Sequence, residues 1–350
     1  MSVTRKLIAG AAGLAAAGMA VGVAGVAQRS RVITRRGAGD DTPFGSLRST
    51  PLHVITDDGI DLHAEIDPSE HPSEDELTVI FAHGYSLNLD CWHFQRAGYR
   101  GQIRTVFYDQ RSHGRSARST EDHSTIEQLG DDLRRVIEQS SPGPCVLVGH
   151  SMGGMSIISL AEQHPEFFGD KVVGVALIST TAGGLDPGRI LFPMLPLGLG
   201  GRVMAPAVRT LYRGHRAVDL ARKWGHALAD VVTEQYAFGD EVPGHYVDFV
   251  YDMLNATPFA VVADFYPAFA SLDKFDHVEV LGRVPTAVIC GTDDKITSIG
   301  HARKLHSRIP GSSLLECEGA GHMVILERHA DVNAELDDLI SIAQTRLEAR

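Results

Sequence analysis

Short apolar runs recur along the chain and alternate with stretches of helical spacing. Residues 52–56 and 60–66 alternate apolar and polar positions around Asp57-Asp58-Gly59, which is typical of a β-hairpin. Continuous apolar runs, most of them rich in β-branched residues, are typical of buried parallel strands. These runs cover residues 77–82, 105–108, 145–148, 172–179, 286–290 and 313–316, and helical spacing covers residues 125–140 and 156–164. The pattern predicts an α/β fold with a mostly parallel, eight-stranded sheet and helices on both faces.

The alternation stops between residues 184 and 284. This stretch holds 13 of the chain's 23 aromatic residues, a series of prolines from Pro187 to Pro206, and mostly helical spacing after them. An insertion of this length between two strands of one sheet predicts a second structural unit. We therefore expect a core of residues 51–183 and 285–350, with residues 184–284 forming a helical cap.

The N-terminal segment differs from the rest of the chain. Residues 7–27 are 21 uncharged residues, enough to cross a hydrocarbon core of about 30 Å. The length favours an uncleaved membrane anchor, whereas Gly25-Val26-Ala27 offers a cleavage site for a secretory signal peptide. The heavier basic flank follows the segment and favours a cytoplasmic body, so the cytoplasmic and exported faces both stay open. We expect residues 1–28 to be this membrane segment or signal, and residues 29–50 to be a linker.

Composition and charge narrow the function. Hydrophobic residues make up 43% of the 350 residues and charged residues 22%, as in ordinary globular proteins. The net charge is −12, and the six basic residues among the first 39 are opposed by no acid, so the remainder carries −18. An acidic body of this kind disfavours nucleic-acid binding. Four cysteines are too few for a disulfide scaffold, and Cys145 and Cys290 are predicted on strands separated by a third, beyond disulfide reach.

The strongest chemical signal lies at residues 146–154, where an apolar strand runs into Gly-x-Ser-x-Gly and then into a helix. In such a motif the serine occupies a sharp turn, and Gly149 and Gly153 leave room for the backbone to pass closely. Ser151 is therefore the candidate nucleophile. The alternative is a serine that only caps the helix.

A serine nucleophile needs a base and an acid that orients the base. Asp293 and Asp294 follow the predicted strand 286–290, and the spacing from Gly291 selects Asp294 as the acid. His322 follows the last predicted strand in a Gly-Ala-Gly turn and is the candidate base. The chain order of serine, acid and histidine is that of α/β hydrolases.

The oxyanion of such a reaction needs backbone donors. The amide of Met152, directly after the nucleophile, is one candidate, and the amide of Tyr85, after the strand that ends in His83-Gly84, is the other. The flexibility of Gly84 would let the Tyr85 amide point at the substrate. We expect His83 to orient this loop by hydrogen bonds, with a role as a second base as the alternative.

Together these motifs resemble the α/β-hydrolase superfamily, and most nearly its capped branch of serine esterases, haloperoxidase-like and epoxide-hydrolase-like enzymes. The resemblance covers residues 50–345 and includes the turn at residues 108–116, in which Asp109 would hold the loop by local hydrogen bonds. Epoxide hydrolases and haloalkane dehalogenases carry an aspartate at the elbow, where this chain has Ser151. The resemblance therefore implies acyl chemistry rather than either of those activities.

The function expected from the sequence is hydrolysis of a small-molecule carboxylic ester through an acyl-enzyme. Apolar cap residues and the N-terminal anchor favour a lipophilic ester; the residues are Leu191, Phe192, Met194, Leu195, Leu197 and Leu199, which could equally form the cap's own core. Carbon–carbon bond hydrolysis and cofactor-free perhydrolysis by the same triad remain alternatives, and a non-catalytic membrane-tethered binding module is a further one. No zinc, Walker or dinucleotide motif occurs, so neither a metal nor a cofactor is expected. The sequence gives no prediction of oligomeric state.

Overall fold

The computed structural model describes residue 29 and residues 42–73, 76–185 and 226–349. The predicted membrane segment and the apolar cap stretch from Leu191 to Leu199 lie outside these residues. Eight strands are present in the described part of the chain. They are β1 (Thr50–Ile55), β2 (Asp61–Asp67), β3 (Thr78–Ala82), β4 (Arg104–Tyr108), β5 (Cys145–His150), β6 (Val172–Ile178), β7 (Thr286–Gly291) and β8 (Ser313–Cys317).

All eight strands form one sheet in the order β1-β2-β4-β3-β5-β6-β7-β8. Strands β1 and β2 form an antiparallel hairpin, β2 pairs antiparallel with β4, and the pairs from β4 to β8 are parallel. Every residue of the central strands β3, β5, β6 and β7 is buried, which explains why their sequences are continuous apolar runs. The predicted α/β fold with a mostly parallel eight-stranded sheet is confirmed.

Helices cover both faces of the sheet. The described helices of the core are α1 (His93–Tyr99), α2 (Ile126–Ser140), α3 (Met152–Gln163), α7 (Ile299–Arg308), α8 (Val324–Glu327) and α9 (His329–Glu348). Helices α2, α3 and α7 bury apolar side chains such as Leu133, Ile157 and Leu305 against one face. Helices α1, α8 and α9 bury side chains such as Phe94 and Leu336 against the other. The carboxyl ends of the parallel strands are left for loops, which is where ligands bind in open α/β sheets.

Between β6 and β7 the described residues form three helices: α4 (His226–Ala237), α5 (Gly244–Ala256) and α6 (Phe259–Ser271). Helix α6 is joined to the core by an ion pair between Asp264 and Arg118. Just after α6, the buried Lys274 pairs with Glu127 of α2 at 2.6 Å and with Glu162 of α3. These ion pairs attach α6 and the residue Lys274 to α2, to α3 and to the loop after β4.

Part of the segment predicted as a linker at residues 29–50 contacts the globular part of the protein. Phe44 stacks on Phe249 of α5 at a centroid distance of 4.4 Å and contacts Phe94 of α1 edge-on at 5.7 Å. Arg48 forms an ion pair with Asp90. A single aromatic residue in a polar stretch has no periodicity, so the sequence pattern gave no sign that residues 42–49 dock on the globular part.

The four cysteines are buried and free, and β6 separates Cys145 on β5 from Cys290 on β7. Among the residues that the structure describes, no helix is both long and apolar enough to span a bilayer.

Candidate active site

Ser151 lies at a sharp turn between β5 and α3. Its backbone has φ 52° and ψ −115°, a left-handed conformation that is strained for any residue other than glycine. Two glycines make the turn sterically possible: a Cβ on Gly149 would lie 2.6 Å from the Gly153 carbonyl carbon, and one on Gly153 would lie 2.0 Å from the Ala82 oxygen. The Gly-x-Ser-x-Gly spacing therefore corresponds to backbone contacts that no larger residue allows.

The turn places Ser151 at the N-terminus of α3. The Ser151 amide donates to the Ile178 oxygen at 2.9 Å, and the Thr180 hydroxyl donates to the Ser151 oxygen at 2.7 Å, so the end of β6 and the residues after it hold the turn. Met152 is the first residue of α3, and the first N–H groups of a helix have no partner within it. Such amides, together with the helix dipole, favour negative charge beside the Ser151 side chain.

Asp294 and His322 meet beyond the carboxyl ends of β7 and β8. The Nδ1 atom of His322 lies 2.9 Å from Oδ2 of Asp294. Asp293 lies outside this contact: its amide donates to the Ala320 oxygen at 2.9 Å, and its carboxylate accepts a hydrogen bond from the neighbouring Thr292 hydroxyl at 3.5 Å. Of the two adjacent aspartates, the structure brings Asp294 to the histidine.

Four nitrogen and oxygen donors surround the Asp294 carboxylate. Oδ1 accepts hydrogen bonds from the amides of Ile296 at 2.8 Å and Thr297 at 2.9 Å, and Oδ2 accepts one from the Thr297 hydroxyl at 2.8 Å as well as that from His322. Burial alone would raise the pKa of Asp294, but His322 and these donors outweigh it and hold the pKa at about 2. The carboxylate is therefore ionised at neutral pH and can orient and charge-stabilise the imidazole.

His83 is hydrogen-bonded through both ring nitrogens. Its Nε2 accepts from the Gln110 amide at 2.9 Å, so its Nδ1 carries the proton and donates to the Gly84 oxygen at 2.7 Å. Complete burial, with smaller contributions from His113 and His150, lowers the pKa of His83 to about 3. The imidazole is neutral and fixes the loop after β3, and neither nitrogen is free to act as a base.

The loop after β3 reaches the nucleophile. A Cβ on Gly84 would lie 3.2 Å from the Ser151 Cβ and 2.9 Å from the His150 Nδ1 atom, which explains why a glycine stands there. Tyr85 follows Gly84 directly, so the loop that carries the Tyr85 amide passes beside Ser151.

No hydrogen bond joins the Ser151 hydroxyl to His322 in this structure. In substrate-free enzymes such bonds are commonly long, and they tighten only when substrate binds.

A family model described as the alpha/beta hydrolase family matches residues 79–335, which is more than half of the chain. The chain belongs to the α/β hydrolase family.

Individual relatives of this α/β hydrolase have several activities. A protein of Caulobacter sp. (strain K31) described as a candidate carbamate hydrolase, RutD, is 35% identical over 104 residues, which are 30% of this chain and 38% of that protein. The match thus spans less than half of that relative's length. Among solved structures, the enol-lactonase from Burkholderia xenovorans LB400 has a TM-score of 0.66 and 24% identity, covering 83% of this chain and 100% of its own. A thermophilic esterase from Thermogutta terrifontis has a TM-score of 0.64 and 20% identity, covering 84% and 99%. Likeness at this identity shows the fold.

The turn after β4 of this α/β hydrolase is organised by Asp109. Its carboxylate accepts hydrogen bonds from the amides of Leu89 at 2.7 Å and Arg115 at 2.8 Å. A Cβ on Gly114, which has φ +52°, would lie 2.3 Å from the Asp109 Cγ. Burial raises the pKa of Asp109 to about 6 in spite of these bonds. The carboxylate acts within its own loop and does not reach Ser151 or His322 by any hydrogen bond.

Two residues beside the site escaped the sequence analysis. The His150 Nε2 atom lies 2.9 Å from the His322 carbonyl oxygen and therefore donates to it, which ties the histidine loop to the serine turn. Burial lowers the pKa of His150 to about 3, with His322 adding to the effect, so the ring is neutral and adds no positive charge beside His322. Thr297 is the second, through its bonds to Asp294. His150 directly precedes Ser151, and Thr297 follows Asp294 by three positions. This closeness to a candidate catalytic residue is the only feature of the sequence that could have pointed to them.

Within the described ranges, no three His, Cys, Asp or Glu side chains are grouped in a way that could hold a metal ion.

Proposed function

We propose that this α/β hydrolase cleaves carboxylic esters, with Ser151 as nucleophile, His322 as base and Asp294 as the orienting acid. The observation that carries the proposal is the strained Ser151 turn, at φ 52°, at the same sheet edge as the His322–Asp294 pair. Strain of this size persists where the surrounding structure imposes it, and it presents the serine side chain to the ligand.

The proposed reaction has two steps. His322 Nε2 takes the proton of the Ser151 hydroxyl as Oγ attacks the ester carbonyl, and the resulting oxyanion is held by the amides of Met152 and Tyr85. Collapse breaks the ester C–O bond, and His322 returns the proton to the leaving alcohol. Water then attacks the acyl-enzyme with His322 again as base, which releases the acid and restores Ser151. The ionised Asp294 fixes the proton on Nδ1 of His322, so that Nε2 is available throughout.

We propose an ester with an apolar acyl or alcohol group as the substrate. The side chain of Met152 belongs to a buried apolar cluster formed with α2, α3 and α6; its other buried members are Ile126, Leu129, Met155, Val261, Phe265, Phe269 and Leu272. Tyr85, Leu185 and Ala268 pack against this cluster and are only partly buried, so a carbonyl held by the Met152 amide would have apolar surface next to it. Apolar surface of this kind gains roughly 25 cal/mol per Å² when a ligand removes it from water.

The test uses residues 40–350, which retain the docked segment around Phe44. The wild type should hydrolyse p-nitrophenyl esters and form a covalent adduct with a fluorophosphonate at Ser151. Ser151→Ala should lose both, with hydrolysis falling by about 10⁴-fold or more. The matched control is Ser156→Ala, at a buried serine in the same helix whose hydroxyl bonds to Gln110 and Met152. Folded protein that neither labels nor hydrolyses any chain length from acetate to palmitate would contradict the proposal.

For the N-terminus we propose that residues 7–27, uncharged over 21 positions, associate the protein with a membrane. Full-length protein should sediment with membranes and resist extraction by carbonate at high pH, whereas residues 40–350 should stay in the supernatant. Recovery of a shortened soluble protein from the full-length gene would instead show that the segment is a cleaved signal.

A further inference from the structure

The loop that carries the Tyr85 amide is attached to the helices between β6 and β7. The Tyr85 hydroxyl donates a hydrogen bond to the Val262 carbonyl oxygen in α6. The Tyr85 ring also contacts Phe269 of α6 edge-on, at a centroid distance of 4.9 Å. The Tyr85 side chain therefore links the loop after β3 to α6.

A second bond attaches the next residue of the same loop. The Thr257 hydroxyl, at the end of α5, donates to the Ser86 carbonyl oxygen at 3.2 Å. Ser86 has φ +58°, a conformation that needs support from its surroundings in a residue other than glycine. Residues 85 and 86 are therefore held by two helices more than 170 positions further along the chain.

Hydrogen bonds from two different parts of the protein hold the loop at residues 83–86. His83 and Gly84 are fixed from within the core, because both His83 ring nitrogens are bonded and the Gln110 side chain donates to the His83 oxygen at 2.6 Å. Tyr85 and Ser86 are fixed from α6 and α5. The position of the Tyr85 amide relative to Ser151 thus depends on where α6 lies on the core.

An ion pair attaches α6 to the core close to the bond between Tyr85 and Val262. Asp264, two residues after Val262, pairs with Arg118 from the loop after β4. Pro267 has no amide hydrogen and removes the helix bond to the Ala263 carbonyl, which weakens α6 at the same turn. The ion pair therefore holds the turn of α6 that receives the Tyr85 hydroxyl.

We propose that the Tyr85 hydroxyl is a positioning group through which α6 sets the place of the oxyanion-binding amide. The inference rests on the proposed function. Since an oxyanion exists in the transition state and not in the bound ester, a displaced amide lowers kcat and leaves KM nearly unchanged. The hydroxyl touches no reacting atom, so it acts only through the amide of its own residue.

The first test compares two phenol-to-phenyl changes. Tyr85→Phe keeps the ring and removes the bond to Val262. As the control, Tyr99→Phe removes the bonds of the Tyr99 hydroxyl to Asp337 at 2.8 Å and to the Asn333 oxygen at 3.2 Å, both on α9. We expect Tyr85→Phe to lower kcat on p-nitrophenyl butyrate about tenfold with KM within about twofold of wild type, and to weaken a trifluoromethyl ketone inhibitor by a similar factor. Tyr99→Phe should leave all three quantities within twofold.

The second test asks whether α6 acts through Tyr85. Arg118→Ala should lower kcat in the wild-type background and have no further effect in Tyr85→Phe, because the two changes remove successive parts of one connection. Additive effects, a kcat equal to wild type in Tyr85→Phe, or a change confined to KM would each overturn the inference. If Tyr85→Phe does not fold, a lowered kcat with unchanged KM in Arg118→Ala supports it and an unchanged kcat overturns it. If the wild-type protein neither labels with the fluorophosphonate nor hydrolyses esters, the proposed function itself is refuted. The results with the variants alone cannot produce that outcome, so the two failures are distinguishable.

Discussion

Replacing Thr297 by valine tests the electrostatic account of the site most directly. The Thr297 side chain is completely buried, and its hydroxyl is one of four nitrogen and oxygen donors to the Asp294 carboxylate, at 2.8 Å from Oδ2. Valine has nearly the same shape but presents a methyl group to the carboxylate. The change therefore removes one donor to the carboxylate, together with the 3.3 Å contact of the same hydroxyl with His322 Nδ1. The backbone amides of Ile296 and Thr297 and the contact between Asp294 and His322 stay in place.

The size of the effect follows from the pKa of Asp294. An aspartate has a pKa of about 3.9 in an unfolded chain and this one has a pKa of about 2, a difference worth roughly 2 to 3 kcal/mol of stability. Because the pKa is lower in the folded state, this stability is present above about pH 4 and is lost as the pH falls towards 2. A hydrogen bond to a charged group contributes about 1.5 to 3 kcal/mol, so the loss at pH 7 should be about 2 kcal/mol.

Guanidinium unfolding at pH 7 measures this loss, and ester hydrolysis measures its catalytic counterpart. Thr297→Val should unfold with about 2 kcal/mol less free energy at an unchanged m-value. Its kcat should fall about tenfold, since a carboxylate with one donor fewer orients His322 less firmly. Thr297→Ser keeps the hydroxyl and should retain most of both. A valine variant as stable and as active as wild type would refute the idea that Thr297 holds the acid.

Three further predictions concern other parts of the molecule. Gly153→Ala should lower the free energy of unfolding by more than about 3 kcal/mol in denaturation experiments, since its Cβ would lie 2.0 Å from the Ala82 oxygen, whereas Gly300→Ala, with nothing nearer than 3.7 Å, should be neutral or slightly stabilising. Asp294→Asn should lower kcat by about 10⁴-fold in the ester assay without unfolding the protein, because an amide favours the wrong tautomer of its histidine. Phe44→Ala should lower stability by about 1 to 3 kcal/mol, as it removes a half-buried ring that stacks on α5, and equal stability would favour the linker interpretation.

The sheet and the strand ends could be predicted because the position of a strand in the fold determines its local sequence pattern. A buried parallel strand must be apolar on both faces, so β5 and β7 are visible as continuous runs. The glycines beside the motif residues have steric causes of similar strength. A Cβ on Gly291 would lie 2.1 Å from the Ala320 oxygen, so the acid loop and the histidine loop can approach only if that position has no side chain. The spacing that selected Asp294 thus records a contact between two loops.

The docking of residues 42–49 and the role of His150 have no comparable local cause. Phe44 is one aromatic residue among polar ones, and the ring it stacks on lies about 200 positions later in the chain. His150 is the variable position of its motif, and its bond to the His322 oxygen joins residues 172 positions apart. Contacts of this range depend on how separate elements pack, which periodicity and propensity do not encode.

The same distinction bears on how substrate preference and rate are related in this protein. The sheet provides the serine turn and the acid–base pair. The helices between β6 and β7 contribute part of the apolar cluster around Met152 and the hydrogen bond that holds the Tyr85 side chain. Phe265 and Phe269 of α6 belong to the apolar cluster around Met152, and their rings also contact Tyr85. A substitution that enlarges the apolar surface at α6 therefore also shifts the element that positions the oxyanion amide. Changes in acyl-chain preference produced in α6 should come with changes in kcat even for the shortest ester, whose acyl group reaches no part of the enlarged surface.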